Sequence, residues 1–187
     1  MLFHISEEPG IARFEARASE YASSPVVWAI DERRVCNYLA PRECPRVTYY
    51  AGAGTTAADV ERFLGSSPAV VAIESAWMDR ARSCCLYGYH MPEEAFECLD
   101  AGAGYFVSRV PVVPVGVEVF EDPILELLRR GAELRVLHSL WALRDAVLAS
   151  SLQFSFIRMR NALPRPAGTS GPFQPMANVR SARRSQP

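Results

Sequence analysis

Short apolar runs, each closed by a turn signal, set the pattern of this sequence. LFHI at 2–5, VVWAI at 26–30 and AVVAIE at 69–74 have the length and composition of strands. The helical segments between such runs are short, and they do not alternate regularly with the strands. This pattern argues against a doubly wound parallel sheet. It predicts an α+β fold with a mixed, mainly antiparallel sheet and short helices.

Capping signals and prolines indicate where individual elements begin. Asp31 and Thr56 each stand where a helix N-cap is expected. Two other stretches are predicted to be helical, PEEAFECLD at 92–100 and LQFSFIRMRNA at 152–162. Pro114 lies within a strand-like run, which indicates an edge strand or a bulge because proline lacks a backbone N–H.

The composition changes after residue 161. Residues 1–161 carry the periodic apolar pattern, and the 187-residue chain is 49% hydrophobic, which is enough for a real core. Residues 162–187 are rich in Pro, Gly, Ser and Arg and show no hydrophobic period. We therefore predict one globular α+β domain over 1–161 and a disordered tail over 162–187.

The charge distribution bears on the choice of partner. All 20 cationic residues are arginines, and four of them lie after residue 161, where there is no acidic residue. Residues 1–161 therefore carry a net negative charge, and we expect no general nucleic-acid binding by the folded domain. No apolar run approaches the ~20 residues of a membrane span, and the N-terminus does not resemble a signal peptide. A cytoplasmic protein without a membrane partner is expected.

The cysteines and histidines do not form a metal motif. The five cysteines include no CxxC pair, and the three histidines are far apart in the sequence. Reduced, mostly buried thiols and no metal site are predicted.

A dispersed set of side chains in the first quarter of the chain suits a small ligand. An imidazole on the first strand, aromatic rings on the second strand and the helix after it, and arginines in nearby loops together match a flat ring and a phosphate. The predicted ligand-binding residues are Ser6, Arg17, Trp28, Tyr38, Arg42 and Arg46, with His4 as the central group. A purely structural role remains an alternative for each: a sheet histidine, a core aromatic ring or a loop arginine.

The sequence also resembles known families. LFHISEEPGI, VWAID, NYLAPRECPRV, GYFVSRVPVVPV and FSFIRMRNA are similar to a family of uncharacterised bacterial proteins, over nearly all of 1–161. More distantly, the front half resembles ADP-ribosyltransferase-like folds. That resemblance implies that His4 holds the ribose of NAD and that Trp28 or Tyr38 stacks on nicotinamide.

The same resemblance implies a catalytic glutamate near the start of YFVSR. This chain has Tyr105 there, so His4 and Tyr105 are the residues at the positions implied to be catalytic, and no carboxylate is assigned. RNA 2′-phosphotransferases are similar to this fold and use histidine and arginines without that glutamate.

Three functions follow and remain open. The first is an ADP-ribosyltransferase-like enzyme, or an inactive relative, acting on NAD or a nucleotide-like phosphate. The second is a non-catalytic domain that binds a small molecule or a protein. The third is a structural or oligomerising protein.

Overall fold

Two β-sheets face each other in the structure, a computed structural model that describes residues 1–19 and 21–165. All neighbouring strands of the larger, six-stranded sheet are antiparallel. Their spatial order is β6 (Glu97–Asp100), β7 (Tyr105–Ser108), β2 (Val27–Asp31), β1 (Leu2–Ser6), β5 (Leu86–Met91) and β8 (Gly116–Phe120).

The smaller sheet has four strands. Their spatial order is β10 (Gln153–Ile157), β3 (Arg46–Tyr50), β4 (Ala69–Glu74) and β9 (Glu133–Leu137). Only the β4–β9 pair is parallel among the strand pairs of the described residues. The predicted α+β class with mainly antiparallel sheets is thereby confirmed, and β8 is an edge strand, as Pro114 indicated.

Short helices connect the strands. They are α1 (Ala57–Asp59), which continues as a π-helical turn over Val60–Leu64, α2 (Met78–Ser83), α3 (Pro123–Arg129), α4 (Trp141–Leu148), and 3-10 segments at Glu32–Tyr38, Ser75–Trp77, Glu93–Ala95 and Met159–Asn161. Both predicted caps are confirmed: Asp31 accepts from the amide of Arg34 at 3.1 Å, and Thr56 accepts from the amide of Asp59 at 3.2 Å.

Two helix predictions are wrong. Within 92–100, Glu93–Ala95 forms a 3-10 turn and Glu97–Asp100 forms β6, which pairs with β7. In the stretch predicted as a last helix, Gln153–Ile157 forms strand β10, which pairs with β3 along its whole length. Phe154 and Phe156 stack on one face of that strand at 4.5 Å, and a partner strand overrides a weak helical period.

The central strands of each sheet are covered on both faces. The outer face of the six-stranded sheet is covered by an irregular segment that brings Phe14 against Tyr89, with ring centroids 5.1 Å apart. The outer face of the four-stranded sheet packs against α4 through Trp141 and Val147. The inner faces of the two sheets meet in a central layer.

This central layer has two unlike halves. We call one the apolar half; it is formed by Phe3, Ile73, Leu86, Phe120 and Leu127. We call the other the polar half; it is formed by Tyr38, Arg46, Thr48, Tyr105 and Ser155. The polar half lies against β3 and β10, whose alternate residues turn polar side chains toward the six-stranded sheet.

The end of the described chain lies against the smaller sheet. The backbone N–H of Leu163 donates to both carboxylate oxygens of the buried Glu74, at 3.1 and 3.0 Å, and its carbonyl accepts from the indole of Trp141. The remainder of the predicted tail, 166–187, is outside the described residues. Within the described part of the chain, no helix is long and apolar enough to cross a membrane.

Candidate functional site

The two strands at the middle of the six-stranded sheet separate along their length. β1 and β2 pair only at Leu2 with Asp31 and at Phe3 with Ile30, whereas β1 pairs with β5 over all five of its residues. Continued antiparallel pairing would set Ile5 opposite Trp28, but the ladder has ended there. We call this opening, between the end of β1 and the start of β2, the strand split.

His4 spans the strand split. Its Nδ1 lies 2.8 Å from the carbonyl oxygen of Trp28, so the imidazole hydrogen-bonds to a backbone carbonyl that lies beyond the end of the β1–β2 ladder. A carbonyl oxygen can only accept, so Nδ1 carries the proton in this hydrogen bond. In the neutral ring Nε2 is then an acceptor, and no described residue hydrogen-bonds to it.

The surroundings keep this imidazole neutral. Burial lowers the pKa of His4 most, and the positive charges of Arg42 and Arg17 lower it further, against the raising effect of the Trp28 carbonyl. Phe14 covers the ring at a centroid distance of 4.5 Å. The result is a neutral, oriented hydrogen-bond acceptor with two guanidinium groups in electrostatic range.

The neighbouring predicted residues have defined places. Ser6 is buried, and its hydroxyl accepts from the amide of Glu8 at 3.0 Å, which shapes the turn after β1. Arg17 and Arg42 are both exposed. The backbone of Arg17 bridges to Val26, just before β2. Both arginines are close enough for their positive charges to act on the pKa of His4 while they stay at the surface.

Trp28 presents its side chain to the opposite face of the sheet from His4. Strand alternation turns His4 outward with Leu2, while Trp28 points inward with Ile30. The structure therefore joins His4 to the backbone of Trp28 and does not bring the imidazole and the indole to one face. The indole instead meets the ring of Tyr105 edge-on, at 5.9 Å.

Tyr105 links the indole to the polar half of the central layer. Its hydroxyl lies 3.4 Å from the hydroxyl of Tyr38 and 3.4 Å from that of Ser155, distances longer than usual for O–H···O bonds. Burial raises the pKa of Tyr38 well above its usual range, and the neighbouring Tyr105 raises it further. Tyr38 therefore stays protonated and does not supply a base.

Arg46 is held differently from the other predicted arginines. Its side chain is only 2% exposed, and burial lowers its pKa. The Nε donates to the carbonyl of Asn37 at 2.6 Å, and Nη1 donates to those of Pro41 and Cys44 at 3.1 and 2.9 Å. Within the described residues it has no carboxylate partner, and Nη2 has no hydrogen-bond acceptor. Arg46 thus fixes the loop before β3 and faces the ring of Tyr38 at 5.5 Å.

In the described part of the chain no carboxylate hydrogen-bonds to Tyr105, although Asp100 is its partner in the β6–β7 ladder. Asp100 is engaged by the amide of Ala103 at 2.9 Å, in the turn before β7. Glu118 lies on β8 and contacts His90 at 3.3 Å, on the far side of β1 and β5. The expected glutamate position is therefore filled by a phenol whose hydroxyl contacts other hydroxyls, while the carboxylate of Asp100 beside it serves the turn before β7.

Ser155 and Thr48 belong to the polar half and were missed from the sequence. The Thr48 hydroxyl donates to the carbonyl of Ser155 at 3.2 Å, and both residues are buried. The signal that would have found Ser155 is the alternation of Phe154 and Phe156 around it, which indicates a strand with one polar position facing inward.

Two surface depressions lie away from these residues. One, of about 390 Å³, is lined by residues around Met1 and Asp31, and the other, of about 350 Å³, lies between β8 and α3. Neither includes His4 or Tyr105. Among the described residues, no group of three or more His, Cys, Asp or Glu side chains is arranged to hold a metal ion.

Comparison with known proteins assigns a family but no activity. A family model described as "Family of unknown function (DUF6886)" matches residues 3–162, which includes β1 through β10 except the first residue of β1. No curated protein and no solved structure matches the chain. The match covers most of the chain, and the protein therefore belongs to this family of unknown function, DUF6886.

Proposed function

We propose that the protein binds a nucleotide, NAD or a related ribose phosphate, at the strand split. The observation that carries this proposal is that the neutral imidazole of His4 is protonated at Nδ1. Its Nδ1–H is used by the Trp28 carbonyl, so Nε2 offers a lone pair to a ligand hydroxyl, such as that of a ribose.

The groups around His4 support a phosphate-bearing ligand. Arg17 and Arg42 are exposed guanidinium groups that act electrostatically on the imidazole, and neither side chain forms an ion pair with a carboxylate among the described residues. Guanidinium groups bind phosphate oxygens in a bidentate manner. Trp28 and Tyr38 are half-buried aromatic residues on the inner face of the sheet, opposite the face that bears His4, and we propose that a flat ring of the ligand stacks there.

Binding without turnover is favoured over ADP-ribosyl transfer. Tyr105 has only hydroxyl partners among the described residues, and Tyr38 beside it is a protonated phenol. Asp100, the carboxylate beside Tyr105, accepts from the amide of Ala103 in the turn, so we infer that it does not stabilise a developing ribosyl cation as the glutamate of ADP-ribosyltransferase-like folds would. The second candidate, a transferase that uses His4 and arginines on a nucleotide-like phosphate, remains compatible with the same site and differs by turning over its ligand.

The thermal stability of the full chain in the presence of NAD, ADP-ribose or AMP tests the proposal. A ligand at 100 times its Kd adds about 2.7 kcal/mol. For a chain of this size that corresponds to a rise in Tm of about 5–10 °C. We expect such a rise for the wild type and for His90→Ala, and none for His4→Ala. Absence of a shift with every nucleotide would refute the proposal.

Mass spectrometry of the same mixtures separates the two candidates. A ligand recovered intact after long incubation supports a binding domain. Release of nicotinamide from NAD, with the ADP-ribosyl group recovered on an acceptor, supports a transferase. Loss of that product in His4→Ala, but not in His90→Ala, would assign the chemistry to the strand split.

We propose a cytoplasmic location as well. The five cysteines are free in the structure, and burial raises the pKa of Cys44 to about 12 and that of Cys84 to about 11. Unpaired, protonated thiols are typical of a reducing compartment. The division into a domain over 1–161 and a disordered tail stays a prediction, which limited proteolysis followed by mass measurement would test.

A further inference from the structure

The outer edge of β8 is open and apolar. β8 ends the six-stranded sheet, and among the strands that the structure describes it pairs only with β5. Its residues Val117 and Val119 are each 53% exposed, and Val113 and Val115 just before it are 61% and 72% exposed. An edge strand presents unpaired backbone groups, and here a row of valines lies beside them.

The opposite edge of the same sheet is built differently. There β6 bears Glu97 and Asp100, and its ladder to β7 is irregular between Cys98 and Asp100. Charges and irregularities are the usual means of preventing edge-to-edge pairing. β8 has one charge, Glu118, which turns inward to contact His90 at 3.3 Å. The edge at β8 is therefore suited to accept another strand.

We propose that a second copy of this chain pairs antiparallel with β8, with Val117 on the two-fold axis. In that register Glu118 faces the partner's Gly116, and Val119 faces the partner's Val115. The valine rows of the two copies then form one apolar strip. Centring the axis on Glu118 would instead oppose two carboxylates directly, which destabilises a strand pair. A self-complementary contact of this kind closes as a dimer.

The remainder of this chain is a poorer occupant of the edge. Residues 166–187 contain four prolines and three arginines, with no apolar alternation. Proline cannot donate to a ladder, and strand pairing needs alternate residues that fit a half-buried face. A second copy of β8 meets both requirements, because its valines alternate with inward-facing residues.

This inference is independent of the proposed nucleotide site. The strand split lies between β1 and β2, and β5 separates it from β8. Loss of nucleotide binding would leave the dimer unaffected, and loss of the dimer would leave the strand split intact.

Sedimentation equilibrium of the full chain tests the dimer. We expect the wild type to dimerise in the micromolar range, and Val117→Lys to weaken the dimer about tenfold or more because two ammonium groups would meet on the axis. The matched control is Val136→Lys, an exposed valine on the edge strand of the other sheet. A wild type that is monomeric throughout this range overturns the proposal, as does equal weakening by both variants.

A cysteine cross-link tests the register without relying on a charge. Cα atoms directly opposite in an antiparallel pair are about 4.5–5.5 Å apart, which a disulfide can span. Mild oxidation of Val117→Cys is expected to give a covalent dimer on a non-reducing gel, above the level of the wild type and of Val136→Cys. A Val117→Cys chain that cross-links no better than these two would contradict the placement of the axis.

Discussion

The two halves of the central layer join the same pair of sheets by different means. In the apolar half, Ile73 from the smaller sheet and Leu127 from α3 are each 1% exposed and pack among aliphatic and aromatic side chains. In the polar half, the buried guanidinium of Arg46 is well hydrogen-bonded, whereas the half-buried Tyr38 and Tyr105 make only long hydroxyl contacts. Burying polar groups costs free energy unless they are well hydrogen-bonded, so packing alone does not account for the polar half.

Four of the predicted site residues lie in or against only one of the two halves. Trp28, Tyr38, Arg46 and Tyr105 were selected from the sequence for a ligand site, and all four lie in or against the polar half. None lies in the apolar half. We infer that the apolar half chiefly stabilises the fold, while the polar half is maintained for the ligand site. The experiments below test this division.

Arg46→Ala should cause the largest loss of stability. The change removes the donors for three carbonyl oxygens of the loop around Asn37, Pro41 and Cys44, and it leaves a cavity in a buried site. We expect the free energy of unfolding to fall by about 4 kcal/mol, measured by urea denaturation. Arg46→Lys keeps the positive charge but not the forked set of donors, so it should retain only part of the stability that Arg46→Ala loses. A loss below about 1 kcal/mol would show that the loop does not depend on this side chain.

Leu127→Ala should cost somewhat less and should leave the ligand site unchanged. Leu127 is buried on α3 in the apolar half, and truncation of such a leucine costs about 3 kcal/mol. At a temperature where the variant is folded, its nucleotide-induced rise in Tm should equal that of the wild type. A variant that is stable but has lost the ligand response would break the proposed division between the halves.

Tyr105→Phe should have a small effect on stability and a larger one on binding. Its hydroxyl contacts, at 3.4 Å, are long, so their loss should cost about 0.5–1 kcal/mol. Tyr38→Phe should behave alike, and the double variant should show little coupling. Strong coupling, measured as a double-mutant cycle in urea, would mean that the hydroxyl chain is a structural element after all.

The pH dependence of stability should show the smallest effect, and its sign follows from His4. The pKa of His4 is lowered in the fold from its usual 6.5, so the unfolded chain binds this proton more readily than the native protein. Stability contributed by the neutral ring is present above pH 6.5 and falls as the pH drops below it. His4→Gln should reduce this slope; an unchanged slope would place the effect on other groups.

Local patterns in the sequence predicted most strands and both caps, because these depend on neighbours along the chain. The helix predictions for 92–100 and 152–162 were wrong because the outcome depends on a partner strand. Phe154 and Phe156, two residues apart, share a strand face and not a helix face, but this short alternation stood within a longer run that indicates an amphipathic helix. Pairing with β3 determines that this segment is a strand, and β3 lies about a hundred residues earlier in the sequence.

The sequence indicated which residue types the candidate site contains, but it did not indicate how their side chains are arranged in space. His4 and Trp28 lie on neighbouring strands, as the sequence indicated. The register of β1 against β2, however, sets their side chains on opposite faces of the sheet. The meeting of Tyr38, Tyr105 and Ser155 brings together three distant parts of the chain. No local pattern encodes such a meeting, because it arises from how the two sheets pack.

The tautomer of His4 is the most direct test of the proposed site. In protein labelled with ¹⁵N at histidine, the imidazole shifts of His4, assigned with the His4→Gln variant, report which nitrogen carries the proton. We predict a neutral ring protonated at Nδ1 at pH 7, with a change at Nε2 when ADP-ribose is added and no change at His90. A ring protonated at Nε2, or one whose Nε2 does not respond to any nucleotide, would contradict the proposal that His4 presents a free acceptor to the ligand.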